Sequence, residues 1–113
     1  MKTLRFLLAL AIGALSLNAS AAVIDTTYGK IVSDFKRDKS EASKKYFSDK
    51  VRIYIKVQSV KGKSMYGYDG DDFVIALFKD ESQISHIAKN QIIRATCQVS
   101  LEGGLLIDCE VSP

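Results

Sequence analysis

The sequence predicts a mainly β domain with helices (α+β): an N-terminal helix, then five short strands, with a short helix between the third and the fourth. Three observations carry this expectation. An apolar stripe recurs at helical spacing over residues 28–46, apolar residues alternate strictly from Val51 onward, and two cysteines stand where a C-terminal hairpin would bring them face to face.

Residues 1–22 read as a removable Sec-type signal peptide. Lys2 and Arg5 give a positive start, Phe6 to Leu17 is an apolar run of about twelve residues, and small residues follow. Ala19 and Ala21 form an A-x-A site, with Ser20 and Ala22 as the close alternative, so cleavage is expected near Ala21 or Ala22. The run is short of the roughly twenty residues that cross a bilayer. No other long apolar run follows, so no transmembrane segment is expected in the mature chain, and the location implied is periplasmic or secreted.

Removing 22 of 113 residues leaves 91, enough for one domain over 23–113 with one modest core. Sixteen Lys and Arg less the two in the leader leaves fourteen, against thirteen Asp and Glu, a net charge of +1. The charge is unevenly placed: residues 28–63 hold eleven Lys/Arg and four Asp/Glu, whereas residues 64–113 hold three and eight. Such polarity can orient a partner in its field, although the solvated faces of a helix and a sheet give the same pattern.

Tyr28, Ile31, Val32, Phe35, Ala42 and Tyr46 fall on one face of a helix, with Lys30, Lys36, Arg37, Glu41, Lys44 and Lys45 on the other. Val51, Ile53, Ile55 and Val57 alternate with Arg52, Tyr54, Lys56 and Gln58, the mark of a half-buried strand. Lys61-Gly62-Lys63 is a turn, Ser64 to Tyr68 a short strand, and Tyr68 to Asp72 a second turn. Phe73 to Phe78 is an unbroken apolar strand, which predicts cover on both faces. Asp80 to Asn90 reads as a short helix with Ile84, Ile87 and Ala88 on one side, capped by Asp80 or Ser82.

Ile92 to Leu101 and Leu105 to Val111 then form a hairpin around Glu102-Gly103-Gly104. If Leu101 opposes Leu105, Val99 meets Ile107, Cys97 meets Cys109 and Ala95 meets Val111. An even cysteine count in an exported chain reads as a disulfide. The C-x11-C spacing lacks the C-x-x-C arrangement of redox-active pairs, so a structural Cys97–Cys109 bond is expected.

Five strands with a helix between the third and fourth is the chain order of an OB-type barrel. The residues also resemble a family of small exported bacterial OB-fold proteins, often labelled tRNA-anticodon-like. The matching motifs are Ala42-Ser43-Lys44-Lys45-Tyr46, Lys50-Val51-Arg52-Ile53, Cys97, and Ile107-Asp108-Cys109. Where the family often has glycine in the first strand this chain has Gln58 and Ser59, and where it has glycine before and within the fourth strand this chain has Asn90 and Ala95. The resemblance implies a barrel and brings no catalytic residues. A cystatin-like helix on an antiparallel sheet is the alternative fold.

Little in the sequence points to catalysis. His86 is the single histidine, which excludes a histidine metal cluster within one chain. It lies near Ser82 and Ser85 with no sign of an orienting acid or oxyanion hole, and reads as a surface residue. Asp69, Asp71 and Asp72 lack the long loop and distal glutamate of a calcium site and read as a polar turn. No paired carboxylates in a cleft can be identified. The expectation is a non-enzymatic binding module with no cofactor and no metal.

Its contact face is expected on the outer side of the first three strands with the loops at 61–64 and 68–72. There Arg52, Tyr54 and Lys56 alternate basic and aromatic side chains, and Tyr66 and Tyr68 lie on the next strand. The bases would steer and the tyrosines anchor. The partner expected is a protein of the envelope or the secreted fraction. An oligosaccharide, a small ligand or single-stranded nucleic acid is the alternative. Near-neutral mature charge, the absence of tryptophan and an extracytoplasmic location all weigh against nucleic acid.

Overall fold

A computed structural model describes residues 22–100 and 104–112. The expected leader, apart from Ala22, lies outside the described residues, as do Leu101, Glu102 and Gly103 of the expected hairpin turn. The elements in order are β1 (Val23–Asp25), α1 (Tyr28–Arg37), α2 (Lys39–Ser48), β2 (Lys50–Lys61), β3 (Ser64–Asp69), β4 (Asp72–Phe78), β5 (Ile92–Val99) and β6 (Leu106–Ser112). Strands β2 to β6 close into a five-stranded barrel in the ring order β2-β3-β4-β6-β5, because β2 pairs with both β3 and β5. The β4–β6 seam is parallel and the other ring pairings are antiparallel. Closure replaces the open sheet of the cystatin-like alternative.

The single N-terminal helix expected over 28–46 is two helices. Asp38 takes an extended conformation between them, donating its N–H to the Asp34 carbonyl and accepting from the Glu41 N–H at 3.1 Å. It ends α1 and caps α2 at once. The break falls two turns along the stripe, so Ile31 and Phe35 stay in phase with Ala42 and Tyr46. Ile31, Ala42 and Tyr46 are buried in the core, and Phe35 stacks on Tyr46 at 5.8 Å. The two helices pack against β2, β4 and β5.

The short helix expected between β4 and β5 is likewise absent as an α-helix. Glu81–Gln83 forms one 3₁₀ turn, opened by the Asp80 carboxylate accepting from the Ser82 N–H, and further turns follow at Ile84–Ile87 and Ala88–Gln91. A spacing of three residues lets Ile84 and Ile87 both plug the core without an α-helix, while Ala88 and His86 stay exposed. Asn90 ends the segment at φ 74°, the left-handed region where asparagine is among the best tolerated non-glycine residues.

Two bulges bend the barrel. Gln58 is the extra residue in β2 between Val57↔Gly67 and Ser59↔Tyr66, and the connection to β5 completes the pairing through Asn90 N–H to Val57 O and Val57 N–H to Gln91 O. The bend that glycine gives elsewhere is made here by a bulge. The second bulge is Asp108, at φ 51°, between Gln98↔Ile107 and Thr96↔Glu110. It corrects the expected register: Ala95 does meet Val111, but Val99 meets Leu106 instead of Ile107. The extra residue turns Leu106 and Cys109, three apart, both into the core. The Cys97–Cys109 disulfide lies just there, wholly buried.

The β2–β3 and β3–β4 turns are two-residue loops opened by glycine at positive φ, Gly62 at 60° and Gly70 at 65°. Gly67 serves a different purpose. A Cβ there would lie 2.4 Å from the Lys56 carbonyl oxygen and 2.6 Å from Ile55 Cγ2, so β3 crosses β2 too closely for any side chain. Gly67→Ala is expected to destabilise by about 2 kcal/mol, because backbone cannot yield as a side chain would. A denaturation midpoint equal to wild type would show that the strands separate at no cost.

Candidate functional site

Barrel closure sorts each strand into an inner and an outer face. Val51, Ile53, Ile55 and Val57 point inward, which leaves Arg52, Tyr54 and Lys56 outward as the alternation predicts. On β3, Met65 and Gly67 face in, and Tyr66 and Tyr68 face out. Cross-strand pairing then sets a straight row over four strands: Phe73 on β4 opposite Tyr68 on β3, Tyr68 opposite Lys56 on β2, and Lys56 opposite Ile92 on β5. At the usual spacing of neighbouring strands such a row spans about 14 Å.

Tyr54 stands in the next row, opposite Arg94, whose guanidinium carbon is 6.0 Å from the tyrosine ring centre. Tyr54 is 59% exposed, Ile92 63%, Phe73 47% and Tyr68 39%. Large apolar side chains open to water at one place on a barrel wall are uncommon without a purpose. Tyr68 meets Phe73 edge-on at 5.5 Å, and Tyr66 lies half-buried, stacked on Phe73 at 6.3 Å. The aromatics therefore brace one another and lose little freedom on contact.

Three shallow depressions adjoin the row. One of about 260 Å³ lies among Tyr54, Lys56, Tyr68, Asp69, Gly70 and Ile92. A second of about 250 Å³ reaches Gln58, Lys89 and Asn90, and a third of about 410 Å³ reaches Arg94, Val111 and Ser112.

Of the five expected contact residues, the structure brings Tyr54, Lys56, Tyr66 and Tyr68 together. Arg52 is engaged elsewhere: its guanidinium forks onto Asp25 of β1 at 2.7 and 2.9 Å, and that hydrogen bond holds the Asp25 carboxyl below its usual range. The turn at 68–72 is also partly committed. The Asp69 carboxylate accepts from the Tyr28 N–H at 2.8 Å, capping α1 from a distant strand, and Asp72 Oδ2 comes within 2.8 Å of where a Cβ on Gly29 would be. A negative charge at a helix N-terminus is favourable, and the glycine that weakens the first turn makes room for it.

Ile92 and Phe73 are additions that sequence reasoning did not single out. Ile92 had a signal: of the adjacent pair Ile92-Ile93, only one can face inward with Ala95 and Cys97. Phe73 was hidden in an apolar run expected to be covered on both faces. The outer face of β4 is instead open at Phe73, with Ile75 and Leu77 half-buried.

The basic half of the chain is less available than its composition implies. Lys30, Arg37 and Lys45 surround the buried Asp34, and Lys44 pairs with Glu41. No cluster of three or more metal-ligating side chains occurs among the described residues. Nor is any helix among them long and apolar enough to cross a membrane.

Fold and site together define a disulfide-closed barrel that presents a braced aromatic strip. No family model, no curated protein and no solved structure matches the chain.

Proposed function

We propose that this chain is an exported, non-enzymatic binding module that engages a protein partner through the outer face of β2 to β5. The observation that carries this reading is the exposed row Phe73–Tyr68–Lys56–Ile92 with Tyr54 beside it. Tyrosine and other aromatics are enriched at protein interfaces, where a few anchors supply most of the affinity. The depressions are open and shallow, whereas small-ligand sites enclose most of their ligand. A broad, flat partner fits this relief better.

The barrel is taken to be of the OB type, supported by the ring order β2-β3-β4-β6-β5 and by the parallel seam between its third and fifth strands. A buried disulfide belongs to an oxidising compartment outside the cytoplasm, which supports a periplasmic or secreted location.

The test is a crosslinked pull-down by oxidised protein from envelope and secreted fractions, followed by titration of whatever protein is enriched. Tyr54→Ala combined with Ile92→Ser is expected to weaken that binding at least tenfold, as loss of interface anchors does. Both residues are exposed, so the melting temperature should hold. Equal affinity of the variant would remove this surface from the account. Binding that collapses between about 50 and 200 mM salt would redirect the reading to a phosphate polymer stacked on the same tyrosines.

A further inference from the structure

Strand β1 is only three residues long, yet it is held at every step. It runs parallel to the start of β2, Val23 beside Lys50 and Asp25 beside Arg52. The Thr26 N–H donates to the Arg52 carbonyl at 3.2 Å, and the Asp25–Arg52 fork closes that end. At the other end the Lys50 N–H donates to the Ala22 carbonyl at 2.9 Å, and the Ala22 nitrogen donates to Asp49 Oδ1 at 3.3 Å. Asp49 is the C-cap of α2. A carboxylate at the negative end of a helix dipole is poorly placed unless a cation answers it.

The leader offers two bonds to a signal peptidase. Cleavage after Ala22 would remove the carbonyl that satisfies Lys50 and the nitrogen that faces Asp49. Cleavage after Ala21 would keep both and give that nitrogen a positive charge.

We propose that the bond between Ala21 and Ala22 is the processing site, and that the ammonium it creates pairs with Asp49 to lock β1 onto the barrel. Water adds across the peptide bond, the departing leader takes a carboxylate at Ala21, and the acid proton passes to the Ala22 nitrogen. Maturation thereby completes the ion pair at the α2 C-terminus. This inference rests on the export reading above, and its test separates the two.

The full chain is expressed with its own leader in a bacterial host, recovered from the periplasm, and its intact mass and first residue are determined. A chain starting at Ala22 is expected. A periplasmic chain that starts at Val23, or is uncleaved, would overturn this inference and leave export standing; a chain found only in the cytoplasm with its leader intact would overturn both.

The lock itself is read from the α-amino group. Facing it is Asp49, with Lys50 on β2 beside it and the Asp25–Arg52 pair at the far end of β1. It should titrate above its ordinary range of about 7.7–8.0 and return there in Asp49→Asn. A chain with one extra residue before Ala22 keeps Asp49 and the Lys50 bond but displaces the ammonium. It should melt a few degrees below the authentic chain. An unshifted amine, or equal melting of the extended chain, would refute the lock.

Discussion

Replacing Cys97 and Cys109 together with alanine is expected to lower stability by about 3 kcal/mol, the loop-closure entropy of a short closed segment. For a domain of this size that corresponds to a melting temperature lower by roughly 12–20 °C. The location makes the effect structural as well as entropic. The bond ties β5 to β6 beside the Asp108 bulge, and Cys109 pairs with Phe78 across the parallel seam that closes the ring. Opening it removes a constraint where main-chain pairing is already irregular. Thermal unfolding of wild type with and without reductant should reproduce the double variant. Coincident melting curves for oxidised wild type and the variant would show that the bond contributes nothing.

Asp34→Ala is expected to cost a similar amount, about 3 kcal/mol. Asp34 is 3% exposed and is the one buried charge among the described residues. Lys30 donates to it at 2.8 Å, Arg37 at 2.9 Å and Lys45 at 3.5 Å, and the Tyr46 hydroxyl donates from α2. The three cations can return to water, but Tyr46 is buried and would lose its acceptor. The hydrogen bond from Lys30, followed by that from Tyr46, holds the Asp34 carboxyl well below the usual carboxylate range.

Because the folded value is depressed, this contribution is complete above the ordinary aspartate range near 4 and is lost as pH falls below it. Tyr46 behaves oppositely. Burial first, and then its bond to Asp34, pushes its phenol above the usual tyrosine range. Its contribution is present below about pH 10 and declines in stronger base. Denaturation midpoints between pH 7 and pH 3 should fall more steeply for wild type than for Asp34→Asn. Parallel curves would place the acid sensitivity elsewhere.

Much of this was legible in the sequence wherever one residue's neighbours decide its place. The helical stripe, the alternation from Val51 and the facing cysteines each survive in the structure because burial on one face enforces a period. What escaped was set by contacts distant in sequence. The break at Asp38 falls in phase with the stripe, so periodicity runs through it, although an aspartate followed three residues later by glutamate is a start signal. The spacing of Ile84 and Ile87 suits a 3₁₀ turn as well as an α-helix. Three residues are too few for β1 to show a period. The bulges at Gln58 and Asp108 answer to barrel curvature, which no local pattern encodes. At the site, the outward alternation placed Tyr54 and Lys56, but their union with Ile92 and Phe73 required knowing which strands become neighbours.

Each strand of the ring has a neighbour on both sides, and β3 is paired from Ser64 to Tyr68 with β2 and with β4 at once. Where Tyr66 and Tyr68 stand, the backbone is already in use, and contact there is left to side chains. Frame and message are thus separable: the inward residues keep the shape while the outward row can be rewritten one position at a time. Such a scaffold can change its outer surface without first risking its fold.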